Sequence, residues 1–199
     1  ARQTHPPSPG FAMALSFDDA CWYPFDPPIP ARTMKDLTPT GRLRVGVNLG
    51  NFLLVQRNPD GSVRGIVPDL AQELARRLGA TADLLLYEKV GDVAAGAKTG
   101  AWDVAFIGAE PQRAADIDFT APYVEIEATY LVPAASPIRA ISEVDRKGVR
   151  IAVADRSAYD LWLTRNIKHA ELRRGENIGA SYDLFVKEGL EVLAGLKPK

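Results

Sequence analysis

Leu43-Arg44-Val45-Gly46-Val47-Asn48, followed by Pro68-Asp69-Leu70-Ala71-Gln72-Glu73-Leu74-Ala75-Arg76-Arg77-Leu78-Gly79, decides the fold. The first run alternates branched apolar residues with small or polar ones, the period-two pattern of a strand. In the second, Leu70, Ala71, Leu74, Ala75 and Leu78 recur at three- and four-residue spacings, which is one stripe along a helix. Asp69 stands where an N-cap belongs, and Gly79 where a helix ends. Between the two runs, Asn58-Pro59-Asp60-Gly61 is a turn cluster.

The same alternation continues toward the C-terminus. Strands are expected over 82–87, 103–108, 128–132 and 149–154, and helices over 90–98, 157–166 and 182–188. Alternating strands and helices imply an α/β fold with a mostly parallel sheet and helices on its faces. Ligands in such sheets sit beyond the carboxyl ends of the strands. The segments to inspect are therefore 48–52, 108–113 and 155–159.

Residues 1–33 read differently. Pro6, Pro7, Pro9, Pro24, Pro27, Pro28 and Pro30 crowd this stretch, and proline removes a backbone donor and fixes φ. An extended or disordered lead is expected, which Trp22, Tyr23 and Phe25 could pin to the body. The apolar run Gly10-Phe11-Ala12-Met13-Ala14-Leu15 is short for a secretory leader and is followed by Asp18-Asp19. The ordered body is expected to open at Met34.

Composition narrows the chemistry. The 199 residues carry 24 Lys and Arg against 25 Asp and Glu, without the basic excess of a nucleic-acid binder. No apolar run approaches the roughly 20 residues that span a bilayer. A single cysteine, Cys21, excludes an internal disulfide, and two histidines, His5 and His169, are poor material for a zinc site. There is no GxSxG elbow and no phosphate-cradling Walker loop. No cofactor, metal or catalytic residue is expected.

Candidate binding residues follow from the strand-end rule. Arg113 offers a planar fork of donors that matches a carboxylate in two parallel bonds; the plainer alternative is an exposed arginine paired with Asp116 or Asp118. Ser157 precedes a helix with Asp160 three residues on, a capping-box-like spacing whose free N–H groups also attract anions. Asn51 and Phe52 follow the first strand, where an aromatic can wall a pocket. Gly108, Ala109 and Glu110 follow the third strand. Ala158 and Tyr159 open the helix after Ser157. Tyr123, Tyr130 and Trp162 read as core or hinge packing, and His169 as surface.

These residues together resemble a known family. Leu43-Arg44-Val45-Gly46-Val47, then Asp60-Gly61, Gly65, Pro68-Asp69-Leu70-Ala71, Leu74-Ala75 and Leu78-Gly79, resemble the first lobe of the extracellular solute-binding proteins, family 3, which serve bacterial ABC transporters. The most specific part is Arg113 followed by Ile117-Asp118-Phe119-Thr120-Ala121-Pro122-Tyr123. The resemblance covers roughly residues 36–199. It implies a two-lobe periplasmic-binding-protein type II fold that closes on solute by a hinge. Residues 34–128 would form lobe one and 129–199 an incomplete lobe two, because family members run on past Lys199 and return to lobe one. By the same resemblance Arg113 grips a solute carboxylate, Phe52 stacks on the solute, and the stretch Arg156-Ser157-Ala158 gives N–H groups. Three departures stand out. Glu110 replaces serine or threonine donors, Asp155-Arg156-Ser157 replaces glycine–threonine, and Leu196 stands where an aspartate would hold an amino group. They point away from an ordinary α-amino acid in the usual pose.

The implied function is to bind a small polar carboxylate solute, an amino acid or a relative, for the membrane component of an ABC transporter, in the periplasm or outside the cell. The alternative is a cyclohexadienyl or prephenate dehydratase on the same fold. With its sheet edge uncovered, the chain is also expected to self-associate.

Overall fold

A computed structural model of the protein describes residues 30–197. The expectation for the lead up to residue 29, with Cys21, Trp22, Tyr23 and Phe25, lies outside the described residues. Order begins before Met34: α1 spans Ala31–Leu37, and Met34 and Leu37 pack against the first core cluster.

The chain continues through β1 (Arg42–Asn48), a two-stranded hairpin of β2 (Gln56–Arg57) and β3 (Val63–Arg64), α2 (Ile66–Arg77), β4 (Thr81–Tyr87), α3 (Val90–Thr99) and β5 (Val104–Phe106). Strand β1 lies at the centre of a parallel sheet ordered β4-β1-β5. With partners on both sides, its Leu43, Val45 and Val47 are fully withdrawn from water. Helix α2 closes over them with Val67, Ala71, Ala75 and Leu78. It starts earlier than its cap signal suggested. Gly65 holds the N-cap position and Asp69 falls in the first turn, where a carboxylate still suits the helix dipole. Its end is as expected: Gly79 turns left-handed at φ 67°, and the Gly79 and Ala80 N–H groups return to the Arg76 and Ala75 carbonyls.

The second sheet is built from β6 (Ala128–Leu131), β7 (Arg150–Ala154), β8 (Glu171–Gly175) and β9 (Val192–Leu196), in the order β6-β9-β7-β8. Strands β7, β8 and β9 run parallel, and β6 is antiparallel to β9. Helices α4 (Ala158–Asn166) and α5 (Ile178–Lys187) accompany it. Ile151, Val153, Leu163 and Val192 centre its core. The two sheets, each with its own core, form two lobes.

Besides α1, the β2–β3 hairpin and the early start of α2, three further elements differ from the sequence expectation. Strands β8 and β9 were not anticipated, because Glu171-Leu172-Arg173-Arg174-Gly175 is too charged to look like a strand; pairing along the whole of β7 overrides that composition. Helix α5 starts four residues earlier than expected, capped by the Asn177 side chain, which accepts from the Ala180 N–H at 2.9 Å.

Candidate functional site

The carboxyl ends of β1 and β5 face the first turns of α4 and α5 across a cleft. A cavity of about 1100 Å³ opens there, and its polar lining includes Asn48, Asn51, Arg113, Ser157, Tyr159 and Asn177. Its apolar lining includes Leu70, Leu74, Trp102, Phe106, Phe119 and Tyr123. Phe106 and Tyr123 meet edge to face at 5.6 Å.

Arg113 opens a short 3-10 turn after β5 and is 5% exposed. It pairs with neither Asp116 nor Asp118; Asp116 is taken by Lys98 at 3.3 Å. One terminal nitrogen donates to the Gly108 carbonyl and the other, across the cleft, to the Arg156 carbonyl, both at 2.8 Å. Its buried Nε has no partner. Burial pushes the guanidinium below its ordinary pKa, and the nearby Glu110 carboxylate partly offsets this. A buried arginine with a donor unspent is primed for an anion.

Across the cleft, Ser157 caps α4 as its spacing suggested. Its Oγ accepts from the Asp160 N–H at 3.0 Å. The reciprocal bond is shifted by one residue, since Asp160 Oδ2 accepts from the N–H of Arg156 at 2.8 Å. Asp160 also receives Arg174 Nε at 3.0 Å. The first-turn N–H groups of Ala158 and Tyr159 have no acceptor within the helix, and both residues line the cavity with Gly108 and Ala109. A Cβ added to Gly108 would lie 3.2 Å from the Ala158 Cβ, so the two lobes are in close contact here. The Tyr159 hydroxyl is buried beside Ser157 without a well-formed hydrogen bond, and burial raises its pKa. The Asn51 side-chain oxygen is likewise buried and unpartnered.

Thus the structure gathers Asn51, Gly108, Ala109, Arg113, Ser157, Ala158 and Tyr159 at one cavity. Two expected residues stand apart. Phe52 is 48% exposed and does not line the cavity; it follows Asn51 in the turn, whose geometry directs only the asparagine inward. Glu110 is buried but also off the cavity lining, its Oε1 against Arg165 of lobe two and its Oε2 accepting from the Gln112 N–H. Tyr123, Tyr130 and Trp162, read from sequence as core or hinge packing, all line the cleft, Trp162 with half its surface exposed. Asn177 was missed. Its signal was an asparagine three residues before Ala180, the spacing of an N-cap. Leu196 lines the cavity at the end of β9. Among the described residues no cluster of His, Cys, Asp or Glu could hold a metal ion.

Residues 43–193 match the sequence model of the bacterial extracellular solute-binding proteins, family 3. The chain belongs to this family. Solved structures agree on the fold. The ancestral amino acid-binding protein described as a precursor of cyclohexadienyl dehydratase superposes with a TM-score of 0.73 at 23% identity, over 83% of this chain and 75% of that one. The cysteine-binding protein of Campylobacter jejuni gives 0.71 at 18% identity, over 82% and 67%. The truncated, arginine-bound ArgBP of T. maritima gives 0.70 at 20% identity, over 82% and 77%. No curated protein sequence matches the chain. As a family 3 protein, the chain is a solute-binding protein, and the cleft between its lobes is where the unspent polar groups converge.

Proposed function

We propose that this protein binds a small carboxylate-bearing solute, an amino acid or a close relative, between lobes formed by residues 34–128 and 129–199. It would deliver that solute, outside the cytoplasmic membrane, to the membrane component of an ABC transporter. The observation that carries the reading is the unpartnered, buried Nε of Arg113 opposite the first turn of α4. A carboxylate entering there exchanges the Arg156 carbonyl for a charged acceptor and meets the Ala158 and Tyr159 N–H groups. Asn51 Oδ1 and the Tyr159 hydroxyl remain for the rest of the solute. Relatives whose names specify cysteine and arginine support the amino-acid class.

Thermal-shift measurements against the L-amino acids and simple carboxylates test this. A true solute at about 100 times its Kd adds about 2.7 kcal/mol to the stability of the folded state. Arg113→Lys keeps the charge but loses the fork, and should weaken that solute's binding. A panel with no stabilising solute would overturn the reading. We propose a carrier and not a dehydratase: incubation with prephenate should yield no phenylpyruvate.

A further inference from the structure

Arg156 is the only described residue other than glycine with positive φ, at 55°. A left-handed backbone is costly for a residue with a Cβ, and such strain persists only where the surroundings impose it. Three contacts across the cleft converge on this residue. Its carbonyl accepts from Arg113 at 2.8 Å. Its guanidinium reaches Asp92 in the first turn of α3 at 2.9 Å. Its side chain also lies directly on Gly91: a Cβ placed there would come 2.5 Å from Arg156 Cζ, 2.9 Å from Arg156 Cβ, and closer still to Nε. A second pair, Lys89 with Glu176 at 2.8 Å, joins the same helix start to lobe two. Neither Arg156 nor Asp92 lines the cavity, so this contact lies on the rim of the cleft.

We propose that Arg156 is the closure residue of the cleft. Before solute enters, its left-handed backbone aims the carbonyl at Arg113; the side chain clasps Asp92 across a seat that only glycine provides, and keeps that hold when solute takes the carbonyl's place on Arg113. The clasp holds the lobes together without solute, and it sets how fast solute leaves while never touching it. A glycine at this position would keep the carbonyl and relieve the strain, but could not reach lobe one. The solute-release half of the inference rests on the proposed function; the closure half does not.

The test has two arms on the full chain. In the first, small-angle X-ray scattering of solute-free protein should show a compact wild type. Arg156→Gly, Asp92→Asn and Gly91→Ala should each give a larger radius of gyration, with Arg156→Lys between. None of these threatens the fold: glycine suits φ 55°, and alanine favours helix α3 over glycine. Arg156→Gly should therefore keep or raise the melting temperature, which loss of a merely structural residue would not do. Scattering curves that superimpose on the wild type overturn the proposal. In the second arm, L-arginine, L-lysine and L-cysteine serve as probes. Whichever binds the wild type should dissociate about two- to fivefold faster from Arg156→Gly, the effect of losing one exposed ion pair across the cleft; the other Arg156 pair, with Asp155 at 3.4 Å, lies within lobe two. An unchanged release rate overturns the solute half. If no probe binds the wild type, the proposed solute class fails, and the scattering arm still decides the clasp.

Discussion

Two charged side chains on opposite sides of the cleft are almost wholly withdrawn from water: Arg113 in lobe one and, at 2% exposure, Asp160 in lobe two. Their surroundings differ. Both carboxylate oxygens of Asp160 are occupied, by the Arg156 N–H, by Arg174 and at longer range by Thr164. Arg113 has two nitrogens on neutral carbonyls and its Nε on nothing. A buried charge with every bond made inside the protein is a strut, because removing it leaves its partners unpaired. One that keeps a donor in reserve contributes little to the fold and waits for an acceptor from outside.

The largest effect should come from the strut. Asp160→Ala leaves the Arg156 N–H and Arg174 without their acceptor at the start of α4, and should cost about 3 kcal/mol in a denaturant melt; Arg174 is partly exposed and can rehydrate, which holds the loss to the low end for a broken buried pair. A loss below about 1 kcal/mol would erase the distinction between the two sites, since peripheral hydrogen bonds are worth that much.

Arg113→Met should do the reverse. Replacing a desolvated ion by an apolar chain of similar length should change stability by less than about 1 kcal/mol. Solute binding should fall by about 2 kcal/mol or more, read by calorimetry. Equal losses in stability and binding would make Arg113 a second strut.

Ser157→Ala removes only the cap bond to the Asp160 N–H. It should cost about 1 kcal/mol of stability. Because the N–H groups of Ala158 and Tyr159 stay in place, solute affinity should move less than in Arg113→Met.

The smallest effect concerns Tyr159. Its buried hydroxyl makes no well-formed bond, so Tyr159→Phe should leave stability unchanged or raise it by less than about 1 kcal/mol. Burial favours the neutral phenol and raises its folded pKa above the ordinary 10.0. The stability tied to that neutral form is complete below pH 10 and is lost as pH rises through the raised value. Tyr159→Phe should flatten this alkaline limb in pH-dependent melts; an identical limb would mean the phenol titrates as if exposed.

Strand β1, helix α2 and the α4 cap were legible in the sequence because their signals are local. Apolar spacing and a serine three residues before Asp160 act within a turn or two of backbone. Arg113 was legible by a rule of topology: a donor fork just past a strand end. The strand β8 was not, because Arg173 and Arg174 become strand residues only once β7 offers its edge. The places of Phe52 and Trp162 were misread for a related reason. Both aromatics have ordinary core chemistry, and only the packed lobes decide which one meets the cleft.

By itself, then, the sequence determined the alternation of strands and helices and the arginine at the end of β5. Their patterns are properties of short stretches of chain. The division into two cores it suggested only through the family resemblance. What Arg113 touches across the cleft was decided by tertiary structure alone. Its acceptor on Arg156 is 43 residues away, and the seat of the Arg156 side chain on Gly91 lies in the other lobe. No pattern of neighbouring residues encodes a contact that exists only where two lobes meet.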